Sequence, residues 1–296
     1  MPTVALIAIH GMGPTEVHYA EPMRGMLRSA LGPLMSSVDL HAVNYKHILQ
    51  ENEEAVWNRI DTRSKVHYDD LRKFLLFGFG DAAGLEARKE EEDSVYELAQ
   101  LEVARALWNA LQQNGNVAVV FLTQSLGCQV LSNYIYDAQK AMQHWINPAN
   151  PPAAVGVWRD LAKLGRELAG RPLTPAERDF LACKTCSAWV STGCNIPIFM
   201  AAHKAMTVKP IEPPTPTFKW LNLYDPDDVL GWPLQPLYDD VDAQLVEDRA
   251  INSGQGAVNW ILKSWNPLSH TTYWTDDDVV DPLADILRVL INQELA

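Results

Sequence analysis

Cysteine is scarce in this sequence: four in 296 residues, at Cys128, Cys183, Cys186 and Cys194. So few thiols, unevenly placed in a chain this long, exclude the disulfide framework of a small secreted domain. Basic residues are also few, 24 Lys and Arg against 37 Asp and Glu, for a net charge of −13. No Lys/Arg cluster offsets that field, so a phosphate backbone or an anionic surface is repelled and nucleic acid is excluded as a partner. Long apolar runs are missing as well. The longest, Phe74 to Gly80 (FLLFGFG), falls far short of the roughly 20 residues of a spanning helix, which excludes stable membrane insertion. No Lys or Arg precedes the short apolar run Val4 to Ile9, so it does not read as a signal peptide and a cytoplasmic address is expected. Cys183 and Cys186 form a Cys-x-x-Cys. Without further ligands at regular spacing, and leading into an apparent strand, the pair reads as buried and inert; no metal and no cofactor is expected.

What is present is apolar material, 47% of the residues, enough for a substantial core. Six short segments rich in β-branched and aromatic residues alternate with longer helical or irregular stretches: Val4 to Ile9, Val38 to Tyr45, Val117 to Leu122, Ser187 to Ser191, Phe218 to Tyr224 and Val258 to Lys263. The pattern predicts an α/β fold, a mostly parallel six-stranded sheet with helices on both faces. The second and last segments alternate in polarity more than the others, which suits positions near the sheet's edges. Apolar spacing predicts one long amphipathic helix from Glu86 to Gln113, with Glu90, Glu91, Glu92 and Asp93 in a solvated first turn. Further helices are expected from Cys128 to about Ala141 and from about Asp276 to Leu295. Proline-opened Asn147 to Ala182 reads as an insertion with helices near Val157 to Leu168 and after Pro175. The economical organisation is a single domain over 1–296 with cap or lid insertions at about 50–85 and 145–182. Within the first insertion, Phe74 to Gly80 is read as core rather than lid.

Chemistry-bearing residues follow the predicted strands. Thr123-Gln124-Ser125-Leu126-Gly127 stands between a strand and a helix, where a sharp turn holds a serine hydroxyl above the sheet and aims the next N–H at a developing oxyanion. The usual pattern is Gly-x-Ser-x-Gly, so Thr123 is a departure. His10-Gly11-Met12-Gly13 ends the first strand and offers the Met12 N–H as a second donor, with His10 shaping the loop. Tyr224-Asp225-Pro226-Asp227-Asp228 puts three carboxylates at the end of the fifth strand. Asp227 is the first choice of acid, Asp228 the alternative and Asp225 the third. His270 lies beyond the last predicted strand and before the terminal helix, the place from which an imidazole reaches the same rim.

The order oxyanion loop, Ser125, Asp227, His270, each after a separate strand, resembles the α/β-hydrolase superfamily over nearly the full length of the chain. The resemblance implies a compact serine hydrolase of esterase or lipase type, with His10, Gly11 and Gln124 against the substrate and Met12 and Leu126 as oxyanion donors. It implies attack of Ser125 on an ester carbonyl, His270 as base and an acyl-enzyme released by water. The substrate expected is a small-molecule or lipid-like ester; the oligomeric state is left open. Two alternatives stand beside this one: an acyltransferase or thioesterase on the same triad, and a catalytically inactive binding protein of the same fold.

Overall fold

A computed structural model describes residues 2–11, 18–153, 155–204, 211–238, 242–252 and 273–295. In chain order the principal elements are β1 (Val4–Ile9), α1 (Glu21–Leu31), β2 (Val38–Val43), α2 (Gln50–Arg63), α3 (Asp69–Glu86), α4 (Val95–Asn114), β3 (Ala118–Gln124), α5 (Leu126–Ile146), α6 (Leu161–Ala169), α7 (Pro175–Leu181), β4 (Cys186–Thr192), α8 (Ile196–Ala201), β5 (Lys219–Tyr224), β6 (Val246–Ala250) and α9 (Asp277–Leu295). The strands form one parallel sheet ordered β2-β1-β3-β4-β5-β6. The α/β class, the parallel sheet and the edge position of the second strand all agree with the sequence pattern.

Period-two alternation divides the apolar residues of the central strands between two cores. Ala5, Ile7 and Ile9 of β1, with Phe121 of β3 and Trp189 of β4, face a layer built by α4 and α5. Val4, Leu6 and Ala8, with Val120, Leu122 and Val190, face α1 and α9 through Met23, Leu27, Val279, Leu283 and Leu287. Each such fully buried aliphatic side chain contributes about 1.5–3 kcal/mol, which makes the central strands a rigid platform for whatever stands at their ends.

Three expectations are corrected. The long helix does not start at Glu86: α3 ends there, and α4 starts at Val95. Ser94 caps α4 by accepting the Glu97 N–H, and Arg88 and Asp93 turn left-handed between the helices. Glu90 to Asp93 therefore belong to a connecting turn, where Glu92 and Asp93 pair with Lys163. A strand absent from the sequence reading, β6, closes the described edge of the sheet. Its sequence, VEDRA, buries only Val246 among its apolar positions, so it carries little hydrophobic signal. The segment Val258 to Lys263 lies outside the described residues. Finally, Phe74 to Gly80 is neither wholly core nor wholly exposed: it is the middle of α3, with Phe77 and Gly78 buried and Phe79 70% exposed.

The 147–182 stretch carries α6 and α7 much as expected, α7 opened by a capping box between Thr174 and Glu177. All four cysteines are buried free thiols, and burial pushes those of Cys183, Cys186 and Cys194 up. Among the described residues, no helix is long and apolar enough to cross a membrane.

Candidate active site

Ser125 occupies the single residue between β3 and α5. Its backbone is at φ 52, ψ −121, a conformation that costs a non-glycine residue on the order of 1–3 kcal/mol and persists only where its surroundings impose it. Those surroundings are visible. The Ser125 N–H donates to Thr192 O at the end of β4, and Ser125 O accepts from the Cys128 N–H in the first turn of α5. Glycine is required two residues on: a Cβ at Gly127 would lie 2.5 Å from His10 O and 2.7 Å from Ile9 O, so α5 can start against the end of β1 only without a side chain there. The Ser125 hydroxyl is buried and makes no hydrogen bond to any described residue. A buried hydroxyl on a strained turn that no described residue satisfies calls for an explanation other than the packing of the fold.

Thr123, the departure from the glycine pattern, has its own structural task. It is fully buried; its Oγ1 accepts from Trp189 Nε1 at 2.8 Å and lies 3.1 Å from Cys128 Sγ. Strand and helix therefore pack through a short Thr–Cys contact.

Gly11, the second residue after β1, lies directly against the serine. A Cβ at Gly11 would be 2.7 Å from Ser125 Cβ and 3.4 Å from Ser125 Oγ. His10 anchors Gly11 from beneath. Its Nδ1 donates to Gly11 O at 2.7 Å, and its Nε2 accepts from the Tyr45 N–H at 3.4 Å, which sets the tautomer. The ring stacks on Tyr45 with centroids 4.1 Å apart and meets the edge of Tyr19. Burial pulls the imidazole down to about 4, so it is neutral at physiological pH. The Tyr45 hydroxyl donates to His10 O, and Tyr19 OH bridges Ala8 O and Val43 O. Both ring nitrogens of His10 are thus bonded to backbone, at Gly11 and Tyr45. Gln124 is buried beside Ser125. Leu126 opens α5, so its N–H has no intrahelical acceptor. Met12 and His270 lie outside the described residues.

The three carboxylates after β5 part company. Asp227 is exposed, and its N–H donates to Asp225 Oδ1 in a tight turn. Asp228 is 5% exposed: its Oδ1 accepts from the Leu230 N–H at 3.0 Å and its Oδ2 from Tyr273 OH at 2.9 Å. Asp225 is buried too, its N–H directed to Tyr273 OH. The turn is bolted to its neighbours. Gly231 packs on Gly193 beyond β4, the Trp232 N–H donates to Cys194 O, and Asn222 Nδ2 donates to both Trp232 O and Asp248 Oδ1. Asp248 of β6 also receives the N–H groups of Leu234 and Gln235.

Sequence reading missed Tyr19, Tyr45, Tyr273, Asn222 and Asp248. Each acts through a contact distant along the chain, and none belongs to a local motif. Position just beyond a strand or beside a candidate residue, as for Tyr45 and Tyr273, is the only signal that could have raised them.

No protein-family model matches the sequence, and no curated protein matches it. Among solved structures, acetylxylan esterase aligns over 98% of this chain and 99% of its own, at 9% identity and a TM-score of 0.41. An iodinated complex of acetylxylan esterase aligns over the same shares at 10% identity and the same score.

Proposed function

We propose that this protein is a serine-dependent carboxylic ester hydrolase working through an acyl-enzyme. The observation that carries the reading is Ser125: a left-handed, strained residue at a strand-to-helix turn whose buried hydroxyl bonds to no described residue while Gly11 presses against it. Backbone strain is tolerated where chemistry needs it, and a hydroxyl left without a partner among the described residues is available to the reaction.

In this reading Ser125 Oγ attacks the carbonyl carbon of an ester. His270 takes the hydroxyl proton and hands it to the departing alcohol; it then draws a proton from the attacking water and returns it to Ser125 Oγ as the acyl–oxygen bond breaks and the acid leaves. The carboxylate behind the imidazole is Asp228, and the reason is its burial: an acid shielded from water stabilises imidazolium far better than the exposed Asp227. The oxyanion is held by the N–H groups of Leu126 and Met12. Each donor so placed is worth about 3–4 kcal/mol of barrier.

A fluorophosphonate should label Ser125, and the protein should hydrolyse p-nitrophenyl acetate, both lost in Ser125→Ala. A folded wild-type protein that takes no label and turns over no ester overturns the reading.

A further inference from the structure

Tyr273 follows His270 by three residues in the sequence and precedes α9. Its hydroxyl has two neighbours in the acid turn: the Asp225 N–H at 3.3 Å and Asp228 Oδ2 at 2.9 Å. An amide can only donate, so the tyrosine oxygen accepts from Asp225 and its own proton points to Asp228. Leu230 N–H holds the other carboxylate oxygen, and donors on both oxygens fix the plane of the Asp228 carboxylate. The ring is 1% exposed, packed in the core that α9 shares with the sheet, so the hydroxyl is presented from a rigid mount. The next residue, Trp274, meets Tyr19 edge-on at 5.1 Å, and Tyr19 in turn meets His10 at 5.2 Å. Two consecutive side chains thus tie one chain segment to the acid turn and to the loop over Ser125.

We propose that Tyr273 is a positioning residue for the reaction, its hydroxyl fixing the orientation of the Asp228 carboxylate that serves as the acid. This inference rests on the ester-hydrolase reading above. A carboxylate that rotates freely still neutralises charge but no longer directs the imidazole, and small losses of alignment are expensive in rate rather than in substrate affinity. The effect therefore falls on kcat.

The test compares wild type, Tyr273→Phe, Asp228→Asn and the double variant, by p-nitrophenyl acetate kinetics and by the rate of fluorophosphonate labelling. Expected for Tyr273→Phe is a kcat and a labelling rate about tenfold lower, with KM within about twofold. In the Asp228→Asn background the same change should cost nothing further. If Tyr273→Phe does not fold, 4-fluorophenylalanine in place of Tyr273 fills the hydroxyl's volume without a donor and should show the same loss; 4-aminophenylalanine restores a donor and should recover most of it. Unchanged kcat, a loss carried by KM, or a loss that persists in the Asp228→Asn background overturns the proposal. A wild-type protein that neither labels nor hydrolyses marks failure of the underlying reading, and the proposal falls with it.

Discussion

The backbone oxygen of His10 lies where the side chain of Gly127 would be: a Cβ there would stand 2.5 Å from it. This contact joins the loop over the serine to the helix behind it. Gly127→Ala forces carbonyl and helix apart, and neither is a flexible tip that can swing aside. The variant should lose about 3 kcal/mol of stability, read as a melting temperature several degrees lower, and its labelling rate should fall with the displaced loop. A melt unchanged from wild type would show the contact to be slack.

Thr123→Gly, which restores the glycine of the Gly-x-Ser-x-Gly pattern, should harm rather than help. It strands the Trp189 indole N–H in the core and opens a small void, a cost of about 3 kcal/mol, whereas Thr123→Ser keeps the acceptor and should stay within about 1 kcal/mol. Chemical denaturation of the two variants side by side decides it. Equal destabilisation would remove the assigned role of the hydroxyl.

Asp227 and Asp228 separate cleanly by substitution. Asp228→Asn should lower kcat on the order of a thousandfold while Asp227→Asn stays within about twofold. The reverse ranking in ester hydrolysis would return the acid role to the exposed residue.

His10 makes stability depend on acid. Its imidazole is held at about 4 in the fold against 6.5 when free, so the unfolded chain binds the proton more readily between those values. The stability this group leaves intact above pH 6.5 is withdrawn as pH falls toward 4, by up to about 3 kcal/mol. His10→Asn carries no titrating ring, so its unfolding free energy, measured by urea titration at a series of pH values, should fall less steeply across that window. Parallel profiles would mean that His10 takes its proton without penalty.

Much of the architecture was legible locally. The β-branched segments at Val4 to Ile9 and Phe218 to Tyr224 coincide closely with β1 and β5, because strands buried on both faces must be apolar almost throughout. β6 was illegible for the converse reason: at the edge, VEDRA needs one inward apolar residue, and its Asp248 is spent on hydrogen bonds to other segments. The start of α4 was misplaced because acidic residues favour a helical first turn and a solvated loop alike, and only the Ser94 cap separates them.

At the candidate site, the amino-acid sequence by itself determined the serine between a strand and a helix, the glycine-rich turn after the first strand and the cluster of acids after the fifth, since these are short-range patterns of backbone need. Which acid is shielded, why a threonine can stand two residues before Ser125, and what holds Gly11 against it were decided only by tertiary structure. Burial and hydrogen-bond partners such as Tyr273 with Asp228, or Trp189 with Thr123, come from segments dozens of residues apart, and no local pattern encodes a distance between them.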